Sequence, residues 1–168
     1  GFADLMLSVP QILIVVFLQA IFGKSGYLSL ALSIGVTGWM AMARIIRNEV
    51  RRIRETDYVT AARMMGGSFG YILRKHLLPG FLPAVLYAAV SSIGAAMMTE
   101  ATLSFMGLGL PVAEVSWGSL LSDSQNALLS GSWWIILIPG IVLIGTLIAI
   151  AALGEQVRKG NTRLHSNL

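Results

Sequence analysis

The chain has 168 residues, of which 55% are hydrophobic and 12% charged, with a formal net charge of +4 and no cysteine. A soluble domain usually carries about a quarter charged residues, so a mean hydropathy of +0.75 excludes an ordinary water-soluble globule, and the lack of cysteine excludes a disulfide framework or a thiolate metal site. All of the 12 Lys and Arg except Lys24 lie in 44–75 or 158–163, beside long apolar runs, which points the basic balance toward a membrane and away from nucleic acid.

A spanning helix needs roughly 20 largely apolar residues, and four runs approach this length. The first is Leu5 to Phe22, broken only by Ser8, Pro10, Gln11 and Gln19. No basic stretch precedes it, unlike a secretory signal peptide; with the chain starting at Gly1, the expectation is an N-terminally truncated membrane domain covering 1–168. Gly23-Lys24-Ser25-Gly26 forms a polar turn into the second run, Tyr27 to Ala43. The third runs from Leu77 to about Met98, with Pro79 and Pro83 at its start, and the fourth from Trp133 to Leu153. A soluble domain this small lacks the volume to hide four such runs, so the fold class is all-α, a multi-pass transmembrane bundle of about four spans. Pro10, Pro83 and Pro139 lie in or near spans, where they can kink helices.

The segment between the second and third spans carries Arg44, Arg47, Arg51, Arg52, Arg54, Arg63, Arg74 and Lys75 against Glu49, Glu55 and Asp57. An Arg at mid-membrane costs about 2.5 to 3.5 kcal/mol, so this segment stays in water. The excess of positive charge makes its side cytoplasmic. Helix parity puts the tail 154–168, with Arg158, Lys159 and Arg163, on the same side. The segment 108–132, with Glu114 and Asp123 and no Lys or Arg, falls outside. Trp117, Trp133 and Trp134 suit an outer aromatic belt.

Within the cytoplasmic loop 44–78, Arg44 to Arg54 continues the second helix. Thr56 or Asp57 can cap a new short helix, Gly66-Gly67 can end it with a left-handed residue, Ser68 can start the next turn, and Leu78-Pro79 begins the return into the membrane. Small Ala61 and Ala62 stand beside bulky Tyr58, Met64 and Met65. Such order exceeds what a connection needs and suits docking; the plain alternative is a solvated amphipathic loop.

Here the chain resembles a known family. Thr60-Ala61-Ala62, three residues, Gly66, nine residues, then His76-Leu77-Leu78-Pro79 looks like the coupling-loop signature of binding-protein-dependent ABC importer permeases, which is Glu-Ala-Ala, three residues, Gly, nine residues, Ile-x-Leu-Pro. Thr60 replaces the usual Glu and His76 the usual Ile; the ending Lys75-His76-Leu77-Leu78-Pro79 is similar to the dipeptide, oligopeptide and nickel subgroup. So are Glu100 to Gly109, Pro111, Trp117-Gly118, Trp133-Trp134 with Pro139-Gly140, and Gly38-Trp39 with Ala43-Arg44 and Arg47. The subgroup's further N-terminal spans are missing, and its C-terminal Gly-Asp segment survives only in outline as Leu153 to Arg158.

The resemblance implies a MetI-like permease fold in a bacterial or archaeal cell membrane. It implies a second permease subunit, two cytoplasmic ABC ATPase subunits that bind the ATP and Mg, and an extracytoplasmic solute-binding protein. The coupling contacts it implies are Tyr58, Thr60, Ala61, Ala62, Arg63, Met65 and Gly66, and the cargo it implies is a di- or oligopeptide, with nickel or another small solute as the alternative. The chain has no phosphate-binding Gly-x4-Gly-Lys-Ser/Thr loop of its own. An intramembrane enzyme is the competing class, but Ser91 and Ser92 have no His, Lys or paired acid with them in the spans. A non-transporting scaffold with a lipid-binding basic loop is the third. Glu100, near the outer end of the third span, reads either as a structural acid bonding at the Gly107-Leu108-Gly109 turn or as a gate in the pathway. His76 reads as an interfacial polar residue, and Met40, Met42, Met97 and Met98 as helix fillers more readily than as soft-metal ligands.

Overall fold

The computed structural model describes residues 9–23, 26–111, 113–125, 127 and 130–165, with 160–165 as backbone only. Among them there are helices and turns but no strand. Helix α1 is Gln11–Phe22, α2 Tyr27–Arg54, α3 Asp57–Met64 and α4 Phe69–Ile72; a π-helical turn, Leu73–Leu77, leads into α5, Leu78–Phe105. Helix α6 is Trp117–Asp123 and α7 Trp134–His165.

Three stretches among the described residues are long and apolar enough to cross a membrane: Tyr27–Arg54, Phe69–Phe105 and Trp134–Lys159. Of the first expected span, Leu5 to Phe22, the described part is a shorter apolar helix, Gln11–Phe22. Pro10 precedes α1 as its boundary residue and kinks nothing; the 12 residues of α1 rise about 18 Å against roughly 30 Å of hydrocarbon. Leu5 to Ser8, the start of the expected span, lie outside the described residues, as do Lys24 and Ser25 of the turn that follows. The 28 residues of α2 rise about 42 Å, so its basic end runs on past a bilayer's thickness.

Two helix ends differ from expectation. No break occurs at Pro79: the chain passes through the π turn, in which Leu78 N–H bonds the Leu73 carbonyl five residues back, and α5 takes Pro79 into its first turn and Pro83 into its body. A proline has no N–H and its ring crowds the carbonyl four residues earlier; the wider π turn absorbs that misfit. At the far end, α7 does not stop at Leu153. The i,i+3 pair Glu155–Arg158 and the i,i+4 contact Glu155–Lys159 lie on its continuing helical surface, where such pairs favour the helix.

Helix α5 is central, packing against α7, α2 and α6, while α1 packs on α2. Val15, Leu30, Ile34 and Leu103 form one buried cluster joining α1, α2 and α5. Gln11, Val15 and Gln19 share one face of α1, and Ser29, Ser33 and Thr37 share one of α2. Gln11 Nε2 donates to Thr37 Oγ1 at 3.2 Å, and the buried Gln19 Nε2 has no hydrogen-bond partner among the described residues. A second cluster, Ile53, Val59, Ala62, Ile72 and Leu77, flanked by Leu73 and Phe81, gives the loop after α2 its own core.

Candidate functional site

That second cluster positions α3. Val59 is 0% and Ala62 6% exposed; at i and i+3 they share the inward face of a short helix and seat it on Ile53, Ile72 and Leu77. Asp57 lies in the first turn and Arg63 in the last, each on the favourable end of the helix dipole. Thr56 occupies the N-terminal boundary but does not cap it: its hydroxyl donates to the Ile53 carbonyl at 2.6 Å, fastening α3 to the end of α2 instead.

The other end of α3 closes in a Schellman motif. Gly66 N–H donates to Arg63 O at 3.1 Å and Gly67 N–H to Ala62 O at 3.0 Å. The two glycines are required for different reasons. Gly66 has φ +79° and open space around a would-be Cβ, whereas a Cβ at Gly67 would lie 2.7 Å from the Ala62 carbonyl oxygen. Ser68 then begins α4, its Oγ accepting from Tyr71 N–H at 3.3 Å.

With this core inside, the outer surface holds Tyr58, Thr60, Ala61, Arg63, Met65 and Gly66, all exposed. Ala62, also in the expected set, is 6% exposed and lies in the loop core. Two side chains outside the predicted set dominate the same surface, Met64 at 83% and Phe69 at 76% exposure. The helical period carries a signal for Met64, because two residues beyond inward Ala62 is a turn of about 200°. Phe69 had none, since its position follows from the Schellman turn. His76 is half-buried between two aromatic rings, 5.8 Å from Tyr58 and 5.8 Å from Tyr71, and Lys75 Nζ lies 5.3 Å from the Tyr71 ring. The histidine thus clips α3 to the π turn. Arg51, Arg54, Arg63 and Arg74, in the same loop segment, are exposed cations, and Arg52 pairs with Glu49. No group of three or more potential metal ligands occurs among the described residues.

Glu100 lies at the opposite end of α5. Ser104 Oγ donates to Glu100 Oε1 at 2.7 Å and accepts from Leu110 N–H at 3.2 Å. The carboxylate is therefore linked, through the Ser104 side chain of its own helix, to the turn after α5. That turn is a second Schellman motif, with Gly107 N–H on Ser104 O and Leu108 N–H on Leu103 O. Helix α6, closed by a Ser116–Ser119 capping box, presses on the same spot: a Cβ at Gly118 would overlap the Ala101 carbonyl oxygen. Tyr27 Oη donates to Val115 O at 3.0 Å, and Ser124 Oγ to Ile135 O at 3.1 Å, so α6 is fastened to α2, α5 and α7. Below it, Tyr27, Leu30 and Ile34 of α2 with Ile93, Met97 and Glu100 of α5 line a groove of about 550 Å³.

The profile described as "Binding-protein-dependent transport system inner membrane component" matches residues 1–159. The dipeptide transport system permease protein DppC of Bacillus subtilis (strain 168) is 34% identical over 155 residues, 92% of this chain and 48% of that protein. The oligopeptide transport system permease protein OppC of the same organism is 32% identical over 156 residues, 93% of this chain and 50% of that one. A putative peptide transport system permease protein of Brucella suis biovar 1 (strain 1330) is 35% identical over 156 residues, 92% of this chain and 52% of its own length. The chain spans about half the length of these relatives. In three dimensions it is similar to a chain of the MetNI methionine ABC transporter solved in inward-facing conformations, with a TM-score of 0.73, 23% identity, and coverage of 95% of this chain and 72% of that one.

Proposed function

The chain belongs to the family of binding-protein-dependent transport system inner membrane components, and we propose on that premise that it is a permease subunit of an ATP-driven peptide importer. It pairs with a second permease, receives cargo from an extracytoplasmic binding protein and is driven by two cytoplasmic ATPases that hold the ATP and Mg. The segment 44–78 and the C-terminal end of α7 lie in the cytoplasm, by the positive charge they carry. The names of the relatives favour di- and oligopeptides as cargo.

The observation that carries this reading is the build of α3. A helix of eight residues is too short to hold itself together in water, yet here it has a private core beneath and a Schellman lock behind. The exposed apolar side chains Met64, Met65 and Phe69 belong to a segment rich in exposed arginines. A mere connection has no use for Met64, Met65 and Phe69 held out from the surface, whereas a groove in a moving partner does. Nucleotide-driven closure of the ATPases would push on α3, and the loop core would pass the push to α2 and α5 as one body, switching the bundle between its two access states. Replacing Met64 and Met65 together with Ser tests this. ATP-driven peptide uptake in proteoliposomes holding the assembled transporter should fall at least tenfold, with the permease still inserted; uptake at the wild-type rate would contradict the reading.

A further inference from the structure

We propose that the groove between α2 and α5 is a binding site for the protonated amino terminus of the peptide in transit, with Glu100 as its counter-charge; this rests on the importer reading above. A carboxylate facing hydrocarbon is costly and calls for a partner or for water. Glu100 faces the groove half-buried, and only one of its oxygens, Oε1, takes the Ser104 hydroxyl. Its rotamer is held by a hydroxyl that is itself held by Leu110 N–H, so the charge is fixed in place before any ligand arrives. The remaining walls are apolar, from Leu30, Ile34, Ile93 and Met97. This suits a ligand with one cationic end and side chains of variable identity, because apolar contact tolerates variety and the single fixed charge sets orientation.

The surrounding charge agrees. Glu114 stands beside Gly26 at the outer mouth, next to Tyr27 in the groove wall. No Lys or Arg occurs in 108–132, and Lys24 is the single basic residue of the adjoining turn 23–26, against Glu114 and Glu100. The mouth therefore attracts an ammonium group and repels a carboxylate, which enters a peptide amino end first.

The chain has no cysteine, so Ala96→Cys, in the groove wall, gives a single reporter once the partner subunits are made cysteine-free. In the assembled transporter, its reaction rates with an ethylammonium and an ethylsulfonate methanethiosulfonate are measured, each normalised to free 2-mercaptoethanol. The normalised ratio should favour the cation by about tenfold or more. It should fall toward unity with Glu100→Gln, which keeps an oxygen for Ser104, and survive with Glu100→Asp. Trialanine should slow the labelling and N-acetyl-trialanine should not. A ratio near unity in the parent, equal protection by both peptides, or no labelling at all because lipid or a partner helix fills the groove would each overturn the proposal. If ATP hydrolysis stayed responsive to the binding protein in those cases, the importer reading would stand and only the groove assignment would fall.

Discussion

Position 66 allows the loop mechanism to be tested by a graded series. At φ +79°, with nothing within 4 Å of a would-be Cβ, the cost of a side chain there is conformational and not steric. An L-residue in the left-handed region costs roughly 1 to 2 kcal/mol, and Asn less because it visits that region readily. Abandoning the turn instead would lose two hydrogen bonds, Gly66 to Arg63 and Gly67 to Ala62, at about 0.5 to 1.5 kcal/mol each. The Ala variant therefore keeps the turn under strain, and β-branched Val is driven to give it up. A destabilisation of about 1 to 2 kcal/mol for Ala shifts the docked population by a factor of roughly 5 to 30, and the loss for Val is at least as large. In proteoliposomes, ATP hydrolysis stimulated by the binding protein should rank Gly66, then Asn, then Ala, then Val, with permease abundance unchanged because the packing of α5 on α2 and α7 along the spans does not involve this turn. A Val variant that couples as well as the parent, or an Asn variant no better than Val, would refute the reasoning.

Val59→Ala removes a side chain that is 0% exposed from the loop core and should cost about 2 kcal/mol locally, read as faster protease cleavage within 55–68 while the spans stay protected. Ser104→Ala deprives Leu110 N–H of its acceptor and Glu100 of its donor; a loss of roughly 1 to 3 kcal/mol should appear as a lower detergent melting temperature, whereas Glu100→Gln should melt near the parent. Gln19→Met replaces a buried amide with no partner by an apolar chain of similar length and should be neutral or stabilising by up to about 1 to 3 kcal/mol; a clear loss of stability would mean the amide is satisfied in the assembled transporter.

Much of this architecture was legible because apolar length and glycine position act locally. The membrane class, the run of α2 into a basic end, the left-handed Gly66 and the Ser68 start all follow from residues within a turn or two. What was not legible depends on atoms far apart in sequence or on misfit being absorbed. Pro79 reads as the start of the third span, but the π turn ahead of it, which joins that span to the loop helix without interruption, had no signal in the sequence. Thr56 reads as a cap, yet its hydroxyl finds the Ile53 carbonyl first. Ala62 reads as a contact residue because the family signature places it there, and only the packing of Ile53, Ile72 and Leu77 beneath it shows that it faces inward. The apolar count stopped the last span at Leu153 because hydropathy measures the hydrocarbon crossing and helicity continues on paired charges beyond it. The fixing of Glu100 by Ser104 is a helical i,i+4 pair and was readable; the hold of Leu110 and Gly118 on Ser104 needed the fold.

The seating of α3 on an ATPase is tested most directly by cysteine cross-linking from Met65→Cys, at a position where the parent residue is 81% exposed and where the substitution adds the chain's first thiol. In the assembled transporter it should cross-link to a groove residue of the ATPase in high yield, with a spin label at the same site immobilised on assembly. A label that stays as mobile in the complex as in the isolated permease, with no cross-link to any groove position, would contradict the account.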